Sequence, residues 1–279
     1  MAFQWSSLKE RRNADKNSRN VSHSKIKNDR CILAKNQIIF YNVAMPQPLL
    51  FSLIDKAIYD YKMIVPGDRI LLGASGGKDS TALIEYFAQR SKRRSADFEF
   101  KCIHIHSEIT PPLNEELFSM FRQWDVEVES IFVDVLNRVK LGRKMNCYWC
   151  STQRRTELLK YAMDNGYNKI ALGHHLDDIL ETMLMNMLDK GEFATMPPVM
   201  RYDNYPCQII RPLCYTDEQT IIDHGTERGY IVSTCTCNYQ ETSRRKDARK
   251  SIEFITGGDK IKKNKLFQSM KNILPDYLP

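Results

Sequence analysis

The chain has 279 residues, of which 42% are hydrophobic, and a formal net charge of +7. This length and composition indicate a globular protein with a sizeable core, and the longest apolar runs are far shorter than the roughly 20 residues that cross a bilayer. The first residues also lack the apolar stretch of a signal peptide, so we expect a cytoplasmic protein without membrane contact. Its eight cysteines are then metal ligands, catalytic groups or packing residues rather than a disulfide framework.

Positive charge is concentrated at the two ends of the chain. Residues 1–30 carry eight Lys/Arg against three Asp/Glu, and residues 244–271 carry ten against three, which leaves a net charge of −5 for the remainder. Basic ends beside an acidic body suggest that the ends bind a polyanion, although basic tails that only maintain solubility are an equal alternative on charge alone. The first 30 residues have few apolar side chains and are expected to form a flexible arm.

Helical and strand-like patterns alternate along the rest of the chain. Residues 49–61 have apolar side chains at helical spacing, residues 69–74 form an apolar strand, and residues 81–91 follow as a helix. The alternation continues with strands at 98–108, at 126–135 and from residue 169 into a loop that ends at 175, and with helices at 114–124, 156–166 and 179–188. Such repeated alternation predicts a parallel sheet covered by helices on both faces.

The segment SGGKDS connects the first predicted strand to the helix after it. Ligands of such sheets bind at the carboxyl ends of the strands, where free backbone N–H groups favour anions. The loop combines glycines that allow close backbone approach, a positive charge and two hydroxyls, in Ser75, Gly76, Gly77, Lys78 and Ser80. It is therefore suited to a pyrophosphate group.

This loop is not a Walker A motif. Leu72 stands where that motif requires its first glycine, and Lys78 is followed by Asp79 instead of Ser or Thr. The kinase and GTPase classes therefore become less favoured.

The segment NCYWCSTQRR places Cys147 and Cys150 three positions apart, followed by Arg154 and Arg155. A pair at that spacing fits a disulfide, half of a zinc site, a redox couple or part of an iron–sulfur cluster. A reducing cytoplasm makes the disulfide the weakest of these interpretations. An arginine that begins a helix after the pair suits a phosphate, whereas a solvated helix face is the usual position of an Arg-Arg pair.

Several segments together resemble one known family. SGGKDS resembles the PP-loop of the ATP pyrophosphatase superfamily, whose members cleave ATP between the α and β phosphates and attach AMP to a carbonyl oxygen. The later segments resemble the tRNA 2-thiocytidine synthetase (TtcA) family in the same order, from about residue 64 to the C-terminus: CYWCSTQRR, KIALGHHLDDILETMLMNML, MPPVM, IIRPL and SMKNILPDYLP. Five segments in register are much more specific than one motif.

The resemblance implies a Rossmann-like fold of the adenine nucleotide alpha hydrolase type, a parallel sheet with helices on both faces and basic terminal segments. Composition, periodicity and the resemblance together predict four parts of the chain, which are a basic, flexible arm at 1–30, a helical segment at 31–64, a PP-loop ATP-binding and catalytic domain at 65–235, and a basic helical segment at 236–279.

The activity that the resemblance implies is ATP-dependent tRNA thiolation. Family members adenylate O2 of a cytidine in the anticodon loop, here expected at position 32, and replace that oxygen with sulfur at a [4Fe-4S] cluster. Mg²⁺, tRNA, a sulfur donor (a cysteine desulfurase system or sulfide) and a second copy of the chain in a homodimer are the further expected partners. We expect residues 1–30 and 244–265 to bind tRNA phosphates.

The site residues follow from the same resemblance. The expected nucleotide-binding residues are Ser75, Gly76, Gly77, Lys78, Asp79, Ser80, Gly173 and His174. The expected catalytic residues neutralise phosphate charge, hold Mg²⁺ or orient the base, and they are Lys78, Asp79, Arg154, Asp177 and Asp178. Because adjacent residues of an extended segment point opposite ways, at most one of His174 and His175 is expected to face the nucleotide.

Three cysteines hold the cluster in this family and leave one iron without a protein ligand. The resemblance implies Cys147, Cys150 and Cys237, with Cys235 as the alternative third ligand. If both later cysteines coordinate, a closed four-cysteine zinc site is the competing structure. The other cysteines are expected to be packing residues, namely Cys31, Cys102, Cys207 and Cys214.

Two other functions stay open at this point. A tRNA thiouridine synthetase of the same superfamily would use the same loop and cysteines. A zinc-stabilised, non-catalytic RNA-binding protein would need no ATP, and the intact SGGKDS segment argues against it.

Overall fold

A computed structural model describes residues 47–93, 95–139, 145–231 and 244–277. The predicted arm at 1–30 and the cysteines Cys31, Cys235 and Cys237 lie outside these ranges. Within them, no helix combines the length and the apolar character that crossing a membrane requires.

The described residues form six strands of one sheet and the helices that surround it. The strands are β1 (Asp68–Gly73), β2 (Phe98–His106), β3 (Val128–Phe132), β4 (Lys169–Ala171), β5 (Val199–Tyr202) and β6 (Tyr205–Ile210). The helices are α1 (Leu49–Asp60), α2 (Lys78–Ser91), α3 (Glu115–Gln123), α4 (Cys147–Asp164), α5 (Leu176–Lys190), α6 (Glu218–Arg228), α7 (Arg244–Thr256) and α8 (Lys260–Ser269). A 3₁₀ turn follows at Pro275–Tyr277.

The strand order is β3-β2-β1-β4-β6-β5. All neighbouring strands are parallel except β5, which runs antiparallel to β6. The predicted Rossmann-like fold is confirmed, and the antiparallel edge is a difference from the all-parallel sheet that the sequence predicts. Only residues 203–204 separate β5 from β6, and such a short link can join strands only in antiparallel orientation.

Helices cover both faces of the sheet because successive strand residues point to opposite sides. Ile70 and Leu72 of β1 enter a core with side chains from α1, α2, α3, α5 and α6, to which α7 and α8 also contribute. Leu71, between them, enters a second core that α4 closes. The helix α1, which the sequence assigned to a separate segment, thus belongs to the same core as the sheet.

The order of the strands fixes where a ligand can bind. The chain passes from β1 to β2 on one side and returns to β4 on the other side of β1, so the winding direction reverses between β1 and β4. Ligands of open α/β sheets bind at such a switch point, outside the carboxyl ends of the strands. The loops after β1 and β4 therefore meet at the expected site.

The helix α4 begins earlier than the sequence predicted. The Asn146 side chain accepts a hydrogen bond from the Trp149 backbone N–H at 2.8 Å and caps the helix, so that Cys147 is its first residue. Cys147 and Cys150 consequently lie in the first turn of a helix, and Arg154 lies in its second turn and does not begin it.

Glu85 ties α2, the helix after the Gly-rich loop, to α6. Its carboxylate is buried, lies 2.9 Å from His224 Nε2 and accepts a hydrogen bond from the Tyr230 hydroxyl at 2.5 Å. Burial alone raises the pKa of Glu85, but the hydrogen bonds from His224 and Tyr230 and the charge of Arg228 outweigh it, and the pKa lies below its ordinary value of 4.5.

We predict that Glu85→Gln lowers the free energy of unfolding by about 1–3 kcal/mol at neutral pH, because charged hydrogen bonds are lost from a buried site. A lowered folded pKa stabilises the protein above 4.5 and loses this contribution as the pH falls through the folded value. The difference between variant and wild type should therefore shrink in urea titrations at about pH 4. Glu227→Gln, an exposed residue of α6, is the control, and equal losses in both variants would contradict the prediction.

Candidate active site

A cleft of about 280 Å³ opens at the carboxyl ends of β1 and β4. Seven of the predicted site residues line it, and they are Ser75, Asp79, Ser80, Arg154, Gly173, His174 and Asp178. The loops after β1 and β4 and the amino-terminal turns of α2, α4 and α5 provide these residues. Gly76, Gly77, Lys78 and Asp177 lie outside its lining.

The Gly-rich loop presents the amino end of α2 to the cleft. Gly76 has a φ of +83°, a left-handed conformation that favours glycine, and Gly77 precedes the first residue of the helix. The Ser80 hydroxyl donates to the Gly77 carbonyl at 3.0 Å, while its oxygen accepts from the Ser75 N–H at 3.2 Å. No side chain caps this helix end. Its first N–H groups are thus available to an anion.

The second loop lies directly against the first. A Cβ atom at Gly173 would lie 3.1 Å from both the Asp79 carbonyl carbon and the Ser80 backbone nitrogen, which are atoms that cannot rotate away. The buried His104 supports the first loop from below, since its Nδ1 lies 2.7 Å from the Ala74 carbonyl oxygen. The two loops therefore have a fixed separation, and only glycine fits at position 173.

Asp79 and Asp178 both lie close to the buried His175. The His175 Nε2 atom is 4.0 Å from Asp79 Oδ1 and 3.5 Å from Asp178 Oδ2, and the His175 backbone N–H donates to Asp178 Oδ2 at 3.1 Å. Burial raises the pKa of Asp79. Burial also acts to raise that of Asp178, but the charges of His175, His174 and Arg245 outweigh it, and the pKa of Asp178 is lowered. Two carboxylates of the cleft thus lie near the same imidazole nitrogen.

His174 lines the cleft, whereas His175 is buried. Arginine side chains near His174 and in the cleft lining form a cationic wall. Burial, with the charges of Arg211, Arg155 and Arg245, lowers the pKa of His174 to about 4, so that its ring is neutral near pH 7. Burial and the charge of Arg155 likewise lower the pKa of Arg211 to about 10. The buried atoms Arg154 Nε, Arg211 Nε and His174 Nδ1 have no hydrogen-bond partner among the described residues. This wall fits an anionic ligand.

Lys78 points to the side of the cleft, toward α6. Its Nζ lies 2.9 Å from Glu218 Oε1 and 3.1 Å from Asp79 Oδ1. Glu218 is the first residue of α6, and its second oxygen lies 3.4 Å from Arg249 Nη1 of α7. The predicted phosphate-binding lysine is therefore already paired with two carboxylates.

Asp177 contacts neighbouring helices and does not face the cleft. Its Oδ2 accepts a hydrogen bond from the Glu218 backbone N–H at 2.7 Å, and its Oδ1 lies 2.8 Å from Lys263 Nζ. It links α5 to α6 and α8. Its catalytic role stays a prediction, and the geometry favours Asp178 as the metal-binding member of the pair.

The cysteine pair continues the face of α4 that lines the cleft. Ser151, Arg154 and Leu158 line the cleft, and Cys147 and Cys150 precede them at the three- and four-residue spacing that keeps side chains on one helical face. Cys147 is exposed, whereas Cys150 is 7% exposed and packs in the core beside α4.

The ligand set for a cluster is incomplete within the described ranges. These ranges hold no group of three or more His, Cys, Asp or Glu side chains that could bind a metal. Two thiols on one turn fit part of an iron–sulfur site, and both candidates for the third ligand lie outside the described ranges. The remaining described cysteines are buried, as predicted for packing residues, and they are Cys102, Cys207 and Cys214.

The basic C-terminal segment is partly engaged with the protein itself. Within 244–265, the residues paired with acidic side chains of the chain are Arg244, Arg245, Arg249, Lys260 and Lys263. Four exposed lysines form no ion pair with described residues, and they are Lys246, Lys250, Lys262 and Lys265. These four are the candidates for contact with a polyanion.

Sequence reasoning missed roles for Arg211, Arg245 and Glu218. Arg211 directly follows β6, and the rule that ligands bind beyond strand ends would have indicated it. Arg245 and Glu218 reach the site from helices that are distant in sequence, and no local pattern indicates them.

The Gly-rich loop, the switch-point cleft and the free amino end of α2 define a PP-loop nucleotide-binding protein. In agreement, residues 52–253 match the PP-loop domain family. The tRNA-cytidine(32) 2-sulfurtransferase of Legionella pneumophila (strain Paris) is 32% identical over 246 residues, which cover 85% of both chains. That of Vibrio cholerae (strain M66-2) is 33% identical over 245 residues, 85% of this chain and 78% of the relative.

The fold also resembles a solved structure, the U34-tRNA thiolase NcsA from Methanococcus maripaludis with its [4Fe-4S] cluster. The TM-score is 0.62 at 19% identity, over 82% of this chain and 81% of that chain. The chain belongs to the PP-loop family and, within it, to the tRNA 2-thiocytidine synthetase family. The family that the sequence motifs indicated is thereby confirmed.

We predict that Gly173→Ala weakens ATP binding about tenfold, because the added methyl group forces the two loops apart. Gly73→Ala is the matched comparison, since a Cβ there meets only the side-chain ends of Leu172 and Leu158 at 3.2 and 3.3 Å, which can move. Titration calorimetry with a non-hydrolysable ATP analogue measures both. Equal effects of the two substitutions would show that the contact between the loops is unimportant.

Proposed function

We propose that the protein is an ATP-dependent tRNA sulfurtransferase that converts a cytidine, at position 32, into 2-thiocytidine. One observation carries the proposal, namely that the PP-loop cleft and the turn with Cys147 and Cys150 share one face of α4. A nucleotide-activated carbonyl and a pair of thiolates would meet there. The names of the relatives, which are 30–33% identical, support cytidine as the substrate base.

The chain's residues fit the binding of ATP with Mg²⁺. The N–H groups at the start of α2 and the hydroxyls of Ser75 and Ser80 would bind the phosphates. Asp79 and Asp178 supply carboxylate oxygens, and a magnesium site commonly uses one or two carboxylates with substrate phosphates as the further ligands. The wall that contains Arg154 would neutralise the charge of the pyrophosphate.

The first chemical step is adenylation. The cytidine O2 attacks the α phosphorus of ATP, the bond from that phosphorus to the bridging oxygen breaks, and pyrophosphate leaves with the electron pair. Arg154 and Arg155 of the cleft lining would stabilise the negative charge that builds on the leaving group, and Lys78 would do so after it leaves Glu218 and Asp79. Because the His174 ring is neutral, it contributes a hydrogen bond and no charge. The oxygen can then leave as AMP.

The second step needs sulfur in place of that oxygen. When bound, a [4Fe-4S] cluster would supply an iron with an open position for the sulfide that replaces the cytidine oxygen. Cys147 and Cys150 would be two of its ligands, and Cys237, or Cys235 in its place, the third. The proposal includes a cysteine desulfurase system or sulfide as the sulfur source. Homodimer formation remains a prediction.

Two alternatives follow from the same residues. A thiouridine synthetase would differ only in the base that the cleft accepts. A zinc-stabilised RNA-binding protein would hold a metal without open positions and would not need the PP-loop.

We predict that the anaerobically purified protein is brown and holds about four irons, and that Cys147→Ser and Cys150→Ser lose most of this iron. Cys207→Ser, which changes a buried packing residue, is the control and should keep the iron.

Cells that lack the gene should lose 2-thiocytidine from their tRNA, as measured by mass spectrometry of nucleosides. A colourless protein with one zinc, or loss of a thiouridine instead, would reject the proposal in favour of one of the alternatives.

The substrate base would need a surface beside the cysteines on which to stack. Tyr148 is 80% exposed, lies between the two cysteines in sequence and stands seven residues before Arg155 on the same side of α4. Its backbone carbonyl accepts hydrogen bonds from the Ser151 and Thr152 hydroxyls at 2.9 and 2.8 Å. Such an exposed aromatic ring on a helix suits an unstacked base.

We predict that Tyr148→Ala lowers the affinity for an anticodon stem-loop RNA about fivefold or more, since base stacking on an aromatic ring contributes about 1–3 kcal/mol. Tyr148→Phe should retain the affinity. Tyr59→Ala is the matched control, because Tyr59 is 83% exposed but lies on α1. Equal affinities of the Tyr148→Ala and Tyr59→Ala variants would refute a role in base stacking.

A further inference from the structure

A continuous series of ion pairs joins the PP-loop to α7, a helix of the basic C-terminal segment. Lys78 Nζ lies 2.9 Å from Glu218 Oε1, and Glu218 Oε2 lies 3.4 Å from Arg249 Nη1. Arg249 Nε lies 2.6 Å from Glu181 Oε1 on α5. One carboxylate, Glu218, is therefore shared between the phosphate-binding loop and a helix that does not line the cleft.

The series reaches the cleft again at its other end. The buried Glu181 also lies 3.7 Å from Arg245 Nε, and Arg245 Nη1 lies 3.2 Å from Asp178 Oδ1, whose side chain lines the cleft. Two acids that hold α7 thus belong to the nucleotide site or contact it. Asp178 lines the cleft itself, and Glu218 also pairs with Lys78 of the PP-loop.

We propose that Glu218 is a positioning residue that couples nucleotide binding at the PP-loop to the docking of α7. Without nucleotide, Glu218 divides its charge between Lys78 and Arg249. When phosphates bind, Lys78 turns to them, and Glu218 interacts more fully with Arg249. Nucleotide binding thereby tightens the contact of α7 with α5 and α6, and by thermodynamic reciprocity a docked α7 favours nucleotide binding.

The charges give the coupling its direction. Glu218 is an anion that holds Lys78 Nζ at 2.9 Å, so it opposes nucleotide binding by keeping this lysine from the phosphates. Arg249 reduces that opposition because it attracts the same carboxylate. Removal of Glu218 and removal of Arg249 should therefore change nucleotide affinity in opposite directions.

The exposed Lys246 and Lys250 lie on the same helix, so a change in how α7 docks also changes how these two lysines are presented to a polyanion. The inference rests on the nucleotide-binding part of the proposed function and on no later step. It is tested without tRNA, cluster or sulfur donor, so its failure is distinguishable from a failure to thiolate RNA.

The experiment compares three variants of the full chain, each with one charge removed. We expect Glu218→Gln to bind a non-hydrolysable ATP analogue about three- to tenfold more tightly than wild type, and Arg249→Gln about three- to tenfold more weakly. Asp223→Asn removes an exposed carboxylate from the same helix as Glu218 and should leave the affinity unchanged. General damage to the fold would weaken binding in both test variants and cannot produce the opposite signs.

A second measurement follows α7 itself. Amide hydrogen exchange in Arg244–Thr256 should slow when the analogue binds to wild type or to Asp223→Asn, and this change should vanish in Glu218→Gln. The inference is overturned if Glu218→Gln binds the analogue as wild type does or more weakly. It is also overturned if α7 exchange in wild type does not respond to the nucleotide.

Discussion

The close approach of two loops at the centre of the sheet governs the geometry of the site. The backbone after β4 lies so near the first turn of α2 that Gly173 has no room for a side chain. That contact brings the helix end that receives the phosphates next to the chain segment that carries His174, His175 and Asp178. Because β1 and β4 are hydrogen-bonded neighbours, the sheet itself fixes the distance between the loops. Asp79 and Asp178 thus come near the same ring nitrogen of His175 as a result of strand order.

The charges around this centre are arranged in layers. Acidic side chains of α2, α5 and α6 surround the PP-loop, and arginines from α4, α7 and the residue after β6 stand around them. A site that must bind both Mg²⁺ and a triphosphate needs both kinds of charge, since carboxylates alone would repel the phosphates. The basic C-terminal segment supplies part of the positive charge. Its described arginines pair with acidic side chains of the chain, whereas Lys246, Lys250, Lys262 and Lys265 are exposed.

The sequence predicted what depends on local pattern. Alternating periodicity indicated the central strands and their helices, and SGGKDS and GHH indicated both loops of the cleft. It did not predict the antiparallel β5, because Val199–Tyr202 is a short edge strand. It placed the start of α4 too late because Asn146 caps a turn with little apolar periodicity. The sequence did not predict the contacts between distant segments. Glu218 reaches Lys78 of the PP-loop, and Arg245 reaches Asp178 of α5, only through packing. Asp177, which adjoins Asp178, faces other helices.

The position of the cysteines on α4 connects the two halves of the proposed reaction. One helical face carries Cys147, Cys150 and Arg154 in succession, and Arg154 lies one turn, about 6 Å along the axis, beyond Cys150. A phosphate held at Arg154 therefore has Cys150 one turn away and Cys147 about two turns away on the same rigid element. An adenylated carbonyl need not travel to a second site to meet sulfur. Because N-capping by Asn146 fixes the turn and Cys150 is packed in the core, this spacing is set before any substrate binds.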